Sequence, residues 1–204
     1  MNILAIESAS TVCGCALFIN NDLIELDEID QARIHGKRLP VIINDILNNH
    51  SVKIDQLDGI AISSGPGSYT GLRIGMSLAR GLAAAREIPI IPVPTLFSMN
   101  ANIQQKGTYW LMLHSHKKFV YAQCYHSGEP ESEIVFEEYQ SDKHSLIYGY
   151  NLDHLCENYH SIPPSAQSVG ELALQNYDQW MELDLNQVSP DYITNINLNK
   201  VKTE

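Results

Sequence analysis

The sequence predicts an α/β protein, because apolar strands alternate with helical patterns through its first half. The clearest block is a buried strand over residues 58–63, followed by a glycine turn and a helix of small residues. Upstream lie three apolar runs, and a polar hairpin turn at residues 20–22 joins the last two. These runs cover residues 3–6, 12–19 and 23–29. The first lobe is therefore predicted as three antiparallel strands, helix, strand, helix and strand.

The other elements follow from the spacing of apolar residues. Helical spacing over residues 39–47, with Pro40 in the first turn, predicts a first helix. Residues 88–93 form a further strand that carries proline near both ends. The second half is less regular, with strands predicted over 110–113, 119–125 and 134–139 and a helix over 165–177. A boundary after residue 97 divides the chain into predicted lobes 1–97 and 98–204.

Composition limits the function classes. The chain has 204 residues, 44% of them hydrophobic, which suits a globular protein with one large or two small cores. Its formal net charge of -11 argues against a broad phosphate-binding surface, so RNA is expected to be contacted only indirectly. No long apolar run or signal pattern is present, and we expect a cytoplasmic protein without a membrane span. The four cysteines lack the spacing of a disulfide framework or a structural zinc site.

The glycine turn is the first candidate site. Gly65 and Gly67 flank Pro66, which allows backbone angles that are closed to other residues. Ser68 or Thr70 can cap a helix that begins near Gly71. Free backbone N–H groups at such a turn can hold an anion. A purely structural strand-to-helix corner explains the same residues, and the spacing does not decide between the two.

The helix after the turn is apolar on two sides, which indicates burial on both. One predicted stripe consists of Leu72, Met76, Ala79 and Ala83, and the other of Ile74, Leu78, Leu82 and Ala85. One stripe can pack on the chain's own sheet, and the other needs a cover from this chain or from another protein. Glycines at 71, 75 and 81 would let a neighbouring backbone approach closely.

The segment over residues 65–83, Gly-Pro-Gly-Ser-Tyr-Thr-Gly-Leu-Arg-Ile-Gly-Met-Ser-Leu-Ala-Arg-Gly-Leu-Ala, resembles the signature of the TsaB (YeaZ) family. Residues 1–10, 35–40 and 88–96 resemble other parts of that family in the same order. The resemblance implies an actin-like fold of two lobes, each with a mixed sheet and helices. It also implies a non-catalytic role in making threonylcarbamoyladenosine on tRNA, as a partner of the paralogue TsaD, with TsaE as a further subunit and homodimers when alone.

The resemblance also implies where a nucleotide would bind. In actin-like ATPases an acidic residue at the end of the first strand helps to hold the metal on the nucleotide. Here that position is Glu7, with Ser8 and Ser10 in the loop that follows, so at most a vestigial phosphate loop is expected. Glu7 as a solvated loop carboxylate is the plainer interpretation. No cofactor is expected to be required, and ATP or ADP would bind only at a joint with the partner.

Two alternative functions remain open at this point. A stand-alone ATP-dependent transferase or kinase would need metal ligands in both lobes and an adenosine loop, for which Gly149 is a weak candidate. A glycoprotease-type peptidase is less favoured, because no zinc-binding helix or Ser-His-Asp order emerges.

No metal site is expected. TsaD carries a His-x-x-x-His pair on the helix that follows the last strand of this block, and the equivalent positions here are Thr95 and Met99. His114 and His116 share a face if they lie on a strand, but the adjacent lysines make a poor cation site. The stretch His114-Ser115-His116, Phe119 and Thr194 depart from the family pattern, which puts surface contacts of the second lobe in doubt.

The predicted partner interface combines two helices, as the resemblance implies. Arg73 and Arg80 lie on the polar strip of the glycine helix, at the predicted rim of the contact. The full predicted set is Ile42, Ile46, Arg73, Ile74, Leu78, Arg80 and Leu82. No catalytic residue is predicted.

Overall fold

The structure, a computed structural model, describes residues 1–141 and 145–193. Its first sheet contains five strands in the order β3-β2-β1-β4-β5. The strands are Ile3–Glu7 (β1), Val12–Ile19 (β2), Asp22–Asp30 (β3), Gly59–Gly65 (β4) and Ile90–Pro94 (β5). β1, β2 and β3 are antiparallel, whereas β4 and β5 continue parallel to β1. The mixed sheet matches the predicted strand sequence of the first lobe.

The second sheet has the order β11-β10-β6-β7-β8, and β9 also pairs with β7. Its strands are Thr108–His116 (β6), Phe119–His126 (β7), Glu129–Pro130 (β8), Val135–Glu138 (β9), Ile147–Tyr150 (β10) and His160–Ser161 (β11). β6 and β7 form an antiparallel hairpin, and β10 lies parallel to β6. The short strands β8, β10 and β11 were not predicted, because two to four residues carry too little periodicity to be recognised.

Helices cover both faces of the first sheet. The helices are His35–Asn49 (α1), Tyr69–Ala84 (α2), Thr95–Asn100 (α3), Ala166–Gln175 (α4) and Tyr177–Trp180 (α5). α1 and α2 lie side by side on one face and share a core with β1, β2 and β4. α1 begins four residues before the predicted range, so Pro40 lies inside the helix and not in its first turn.

α4 packs on the opposite face of the first sheet, although it comes late in the chain. Its apolar residues Val169 and Leu172 share a core with Ile3 and Phe18. A Cβ on Gly170 would lie closer than 3.0 Å to the Phe18 ring, so the glycine allows the helix to pack closely. The predicted division after residue 97 assigns this helix to the second lobe, whereas its contacts are with the first.

The second sheet lies beside the first and has cover of a different kind. One face packs against α3, where Leu96 and Met99 share a core with the strand residue Leu111. The other face is covered by the loop after β10, through Leu152 and Cys156. No helix among the described residues is long and apolar enough to cross a membrane.

Candidate functional site

The glycine turn joins β4 to α2. Gly65 has φ +116°, in the left-handed region that favours glycine, and its N–H donates to Thr95 Oγ1 at 3.1 Å. Ser68 is the N-cap of α2, and its Oγ accepts a hydrogen bond from Gly71 N at 3.2 Å. The cap is therefore Ser68, while Thr70 lies within the helix. Because α2 begins at Tyr69, Gly71 belongs to its first turn and not to the loop before it.

Three glycines of this block form a flat surface for the loop after β1. A Cβ on Gly67 would meet Ala9 O, one on Gly71 would meet Ser8 O, and one on Gly75 would meet Ser8 Oγ, all closer than 3.0 Å. Gly71 and Gly75 do let a neighbouring stretch of chain approach closely, but it is the chain's own loop and not a partner, because Ser8 occupies that space. Gly81, in contrast, is exposed and has nothing within 4 Å of its Cβ position.

Glu7 is not a solvated loop carboxylate. Its side chain is fully buried, and Oε1 accepts a hydrogen bond from Ala9 N at 2.5 Å. Burial, with a smaller contribution from the charge of Glu28, raises the pKa of Glu7 to about 8, so the carboxyl is mostly neutral at pH 7. A neutral buried carboxyl is a poor metal ligand. Ser8 is buried beneath α2 as well, so of the predicted phosphate-loop residues only Ser10 borders open space.

A cleft of about 840 Å³ separates the two lobes on this side of the molecule. The first lobe contributes hydroxyl groups and the start of α2, and the second contributes aromatic rings and imidazoles. The lining residues include Ser10, Thr11, Ser68, Thr70, His114, His116, Tyr121 and Phe136. Within residues 1–141 and 145–193, no group of three or more His, Cys, Asp or Glu side chains is placed to hold a metal ion.

The two stripes of α2 have different surroundings. Leu72, Met76, Ala79 and Ala83 are buried against the first sheet. Leu78 and Leu82 are half-buried at the edge of the α1–α2 core, and half-buried Ile74 borders the cleft, so this row is the one that solvent or a partner can reach. Arg73 is exposed and Arg80 is half-buried on the polar strip.

The α1 part of the predicted interface is wrong. Ile42 and Ile46 are fully buried in the core between α1 and the first sheet. Their helical spacing marks the inward face of α1, and a partner cannot reach either side chain without unfolding the helix. Val41, which is 41% exposed, lies on the outward side of α1.

Asp191 and Tyr192 lie beside the glycine turn and the start of α2. Asp191 N donates to Ser64 O at 2.7 Å, and Ser64 Oγ donates to Asp191 Oδ2 at 3.0 Å. Arg73 Nε donates to Tyr192 OH at 3.0 Å, and its guanidinium lies 4.0 Å from the centroid of the Tyr69 ring. No local sequence pattern predicts this contact, because it joins residues that are far apart in the chain.

Thr95 and Met99, the positions equivalent to the TsaD histidines, have structural contacts here. Thr95 is fully buried and accepts the Gly65 N–H, while Met99 is fully buried in the core beneath the second sheet. The tentative adenosine-loop residue Gly149 lies within β10, where a Cβ would meet Met112 O closer than 3.0 Å. It is therefore a packing position in a strand and not part of a ligand loop.

The histidines of the second lobe pair differently from the prediction. His114 lies on β6, but its neighbour is His154 in the loop after β10, with ring centroids 4.3 Å apart. His116 instead stacks on Phe119, at a centroid distance of 5.4 Å. Burial lowers the pKa of His114, and nearby His154 adds to that shift. Thr194, the last predicted departure from the family pattern, lies outside the described residues.

Comparison with known proteins identifies the family. The family model described as "TsaD: tRNA N6-adenosine threonylcarbamoyltransferase" matches residues 29–178. The chain is 35% identical over 99 residues to TsaB, a tRNA threonylcarbamoyladenosine biosynthesis protein, of Haemophilus influenzae, covering 48% of the chain and 42% of that protein. It is 31% identical over 149 residues to TsaB of Escherichia coli, covering 73% and 59%. The chain thus spans about half the length of these relatives.

A solved structure shows the fold. A Pseudomonas aeruginosa protein described as similar to peptidase YeaZ superposes with a TM-score of 0.77 at 20% identity, covering 95% of this chain and 99% of that one. The predicted α/β fold of two lobes, each with a mixed sheet and helices, is confirmed. Because the TsaD family model matches residues 29–178, the molecule belongs to the class of proteins that includes TsaD. Within that class, the chain belongs to the TsaB (YeaZ) family.

Proposed function

We propose that this chain is a non-catalytic partner subunit in the formation of threonylcarbamoyladenosine on tRNA, acting in the cytoplasm by binding and ordering TsaD. The observation that carries the proposal is the half-buried row of Ile74, Leu78 and Leu82 on α2. Single apolar side chains on a surface need no explanation, but three in line on one helix mark a surface that a partner can cover.

The neighbouring features support a helix-to-helix contact. Gly81 lies on the same helix with open space beside it, which allows a partner helix to approach the backbone. α1 lies next to α2, and Ile74 Cδ1 is 3.8 Å from the Cβ position of Gly36. A stable interface buries about 800 Å² per partner, so the contact must extend from the α2 row over the outward side of α1.

Three observations support a non-catalytic role. The positions of the TsaD histidines are filled by Thr95 and Met99, whose side chains hold the glycine turn and the core. A stand-alone transferase or kinase would need an ionised carboxylate where Glu7 is buried and mostly neutral. The net charge of -11 favours indirect contact with tRNA. Any ATP or ADP would then bind at the joint with TsaD, where TsaE would also join, and the uncovered row would allow homodimers.

The test is co-expression with tagged TsaD of the same organism, using Leu78→Asp and the matched control Ser77→Asp. Ser77 is exposed on the same helix, so both variants add one charge at neighbouring positions. We expect Leu78→Asp to weaken the complex by about 2 kcal/mol or more, roughly thirtyfold, because it places a charge in a desolvated contact. Ser77→Asp should co-purify as the unchanged chain does.

Circular dichroism and sizing of each isolated variant show whether the monomer is still folded. Failure of the unchanged chain to form a stoichiometric complex with TsaD would contradict the partner role. A folded Leu78→Asp variant that pairs normally would contradict the interface alone.

A further inference from the structure

Three polar atoms, two imidazole nitrogens and one carbonyl oxygen, lie close together at the tip of the β6–β7 hairpin. His114 Nε2 and His154 Nε2 lie 3.1 Å apart, and each lies 3.1 Å from the carbonyl oxygen of Lys117. They come from a strand, the hairpin turn and the loop after β10, so three separate stretches of chain meet here. The two rings are nearly perpendicular, at 87°.

We propose that His114, His154 and the Lys117 carbonyl form a binding site for a divalent transition-metal ion such as Zn²⁺ or Ni²⁺. The three atoms form an equilateral triangle with 3.1 Å sides. An ion about 2.1 Å from each corner would stand above the triangle with ligand–metal–ligand angles of roughly 95°. Such angles correspond to one face of an octahedron, and water can take the remaining positions.

The donor chemistry selects the ion. Imidazole nitrogen suits zinc, nickel and copper, whereas magnesium and calcium prefer oxygen ligands. With only two imidazoles and one carbonyl, and with the exposed Lys117 and Lys118 side chains nearby, the site should bind reversibly and not as a permanent structural centre. Without a metal ion, the two imidazoles hydrogen-bond with the carbonyl oxygen.

The site is distinct from the position of the TsaD histidines, which Thr95 and Met99 fill at α3. His114 is one of the residues at which the sequence departs from the family pattern, so the site would be a feature of this chain. A bound ion would fasten the hairpin to the loop after β10, and that loop covers one face of the second sheet through Leu152 and Cys156. Metal binding should therefore raise the melting temperature of the protein.

The test is calorimetric titration of the untagged, metal-free full chain with Zn²⁺, Ni²⁺ and Mg²⁺. We expect one Zn²⁺ or Ni²⁺ per chain and no heat from Mg²⁺. His114→Asn and His154→Asn should each weaken Zn²⁺ binding at least tenfold, since even residues behind a ligand contribute about 10–100-fold. His116→Asn is the matched control, because His116 borders the same cleft but is outside the triangle.

Thermal scans give a second readout. Added Zn²⁺ should raise the melting temperature of the unchanged chain and of His116→Asn, and should not raise that of His154→Asn. Because the His154 side chain is exposed, this variant should fold even if His114→Asn does not. Equal Zn²⁺ affinity in His154→Asn and the unchanged chain, or equal loss in His116→Asn, would overturn the proposal.

Discussion

The faces of the two sheets are covered in different ways in the two lobes of this molecule. In the first lobe, helices cover both faces, and every residue of β1 and β4 is buried. In the second lobe, β6 is buried only in its middle, β7 alternates between buried and half-buried positions over most of its length, and a loop covers one face. Strands buried on both faces read as continuous apolar runs, whereas half-covered strands leave one row of side chains free to vary.

Because of this difference, the residues that match the TsaB pattern and the residues that depart from it lie in different lobes. The first lobe carries the glycine turn, whose close backbone contacts admit few changes, and the proposed partner row of Ile74, Leu78 and Leu82. The second lobe presents a partly exposed row of rings, His116, Phe119 and Phe136, on its sheet. The departures from the TsaB pattern at residues 114–116 and 119 lie in this permissive region. Substitutions should therefore affect folding in the first lobe and ligand contacts in the second.

Gly71→Ala is the strongest test of this contrast. The new Cβ would meet the backbone oxygen of Ser8 closer than 3.0 Å, and a backbone atom cannot move aside as a flexible side chain can. We expect the free energy of unfolding to fall by about 3 kcal/mol, toward the upper range for overpacking, and the melting temperature to fall by roughly 10 °C. Thermal denaturation followed by circular dichroism measures the change.

Gly81→Ala in the same helix is the control, because nothing lies within 4 Å of its Cβ position. It should stabilise the isolated protein by up to about 1 kcal/mol, the difference in helix propensity between alanine and glycine. If partner helices approach here, the same variant should bind TsaD more weakly. Equal melting temperatures for the two alanine variants would break the proposed rigidity of the glycine surface.

The same contrast explains how much of the fold was predictable. The strands over residues 3–6 and 12–19 and the glycine helix were predicted because burial on both faces leaves a strong local pattern. The place of α4 was not, because its contact with Phe18 joins residues about 150 apart and no local pattern encodes it. Short strands of the second sheet were missed for want of periodicity.

The candidate site was predictable only where a residue type has one common structural role. The glycine turn at Gly65 and a helix cap at Ser68 or Thr70 followed from backbone chemistry, and the structure shows that the cap is Ser68. Ile42 and Ile46 were assigned to a partner from the family resemblance, although their spacing equally marks an inward face, and the structure buries them. The position of Glu7 between a strand end and a polar loop predicts an exposed side chain, but the side chain is buried and accepts a hydrogen bond from Ala9 N. His114 and His154 are 40 residues apart, so their pairing leaves no sequence signal.

A second effect concerns the buried carboxyl of the first lobe. Because the folded state holds the Glu7 proton up to a pKa of about 8, from an ordinary value of 4.5, the unfolded chain loses that proton first as pH rises. Stability should therefore fall between about pH 4.5 and pH 8, by at most about 1.4 kcal/mol per pH unit. Glu7→Gln removes this slope and should be more stable than the unchanged chain at pH 9, by a few kcal/mol.

Chemical denaturation at pH 5, 7 and 9 measures the slope. Glu138→Gln, an exposed position on β9 of the second lobe, is the control and should keep the slope of the unchanged chain. A Glu7→Gln variant with that same slope would show that the buried carboxyl does not set the pH dependence of the first lobe.

The smallest effect concerns charges at the edge of the partner row. Arg73 is exposed beside Tyr69 and Tyr192, and Arg80 is half-buried about two helical turns further along α2. Rim charges act on diffusional encounter more than on the packed contact, so Arg73→Glu with Arg80→Glu should slow association with TsaD, most visibly at low salt. Dissociation should change little. Stopped-flow or biolayer kinetics at two salt concentrations measure both rates.

The matched control reverses two lysines of the second lobe, Lys106→Glu with Lys118→Glu, which changes the net charge by the same amount. If the first lobe alone faces TsaD, this control should slow association much less than the α2 pair, because exposed charges beyond about 10 Å are largely screened at 0.1 M salt. Equal slowing by both pairs would mean that overall charge, and not the helix rim, steers the encounter. The assignment of partner binding to the first lobe would then rest on the apolar row of α2 alone.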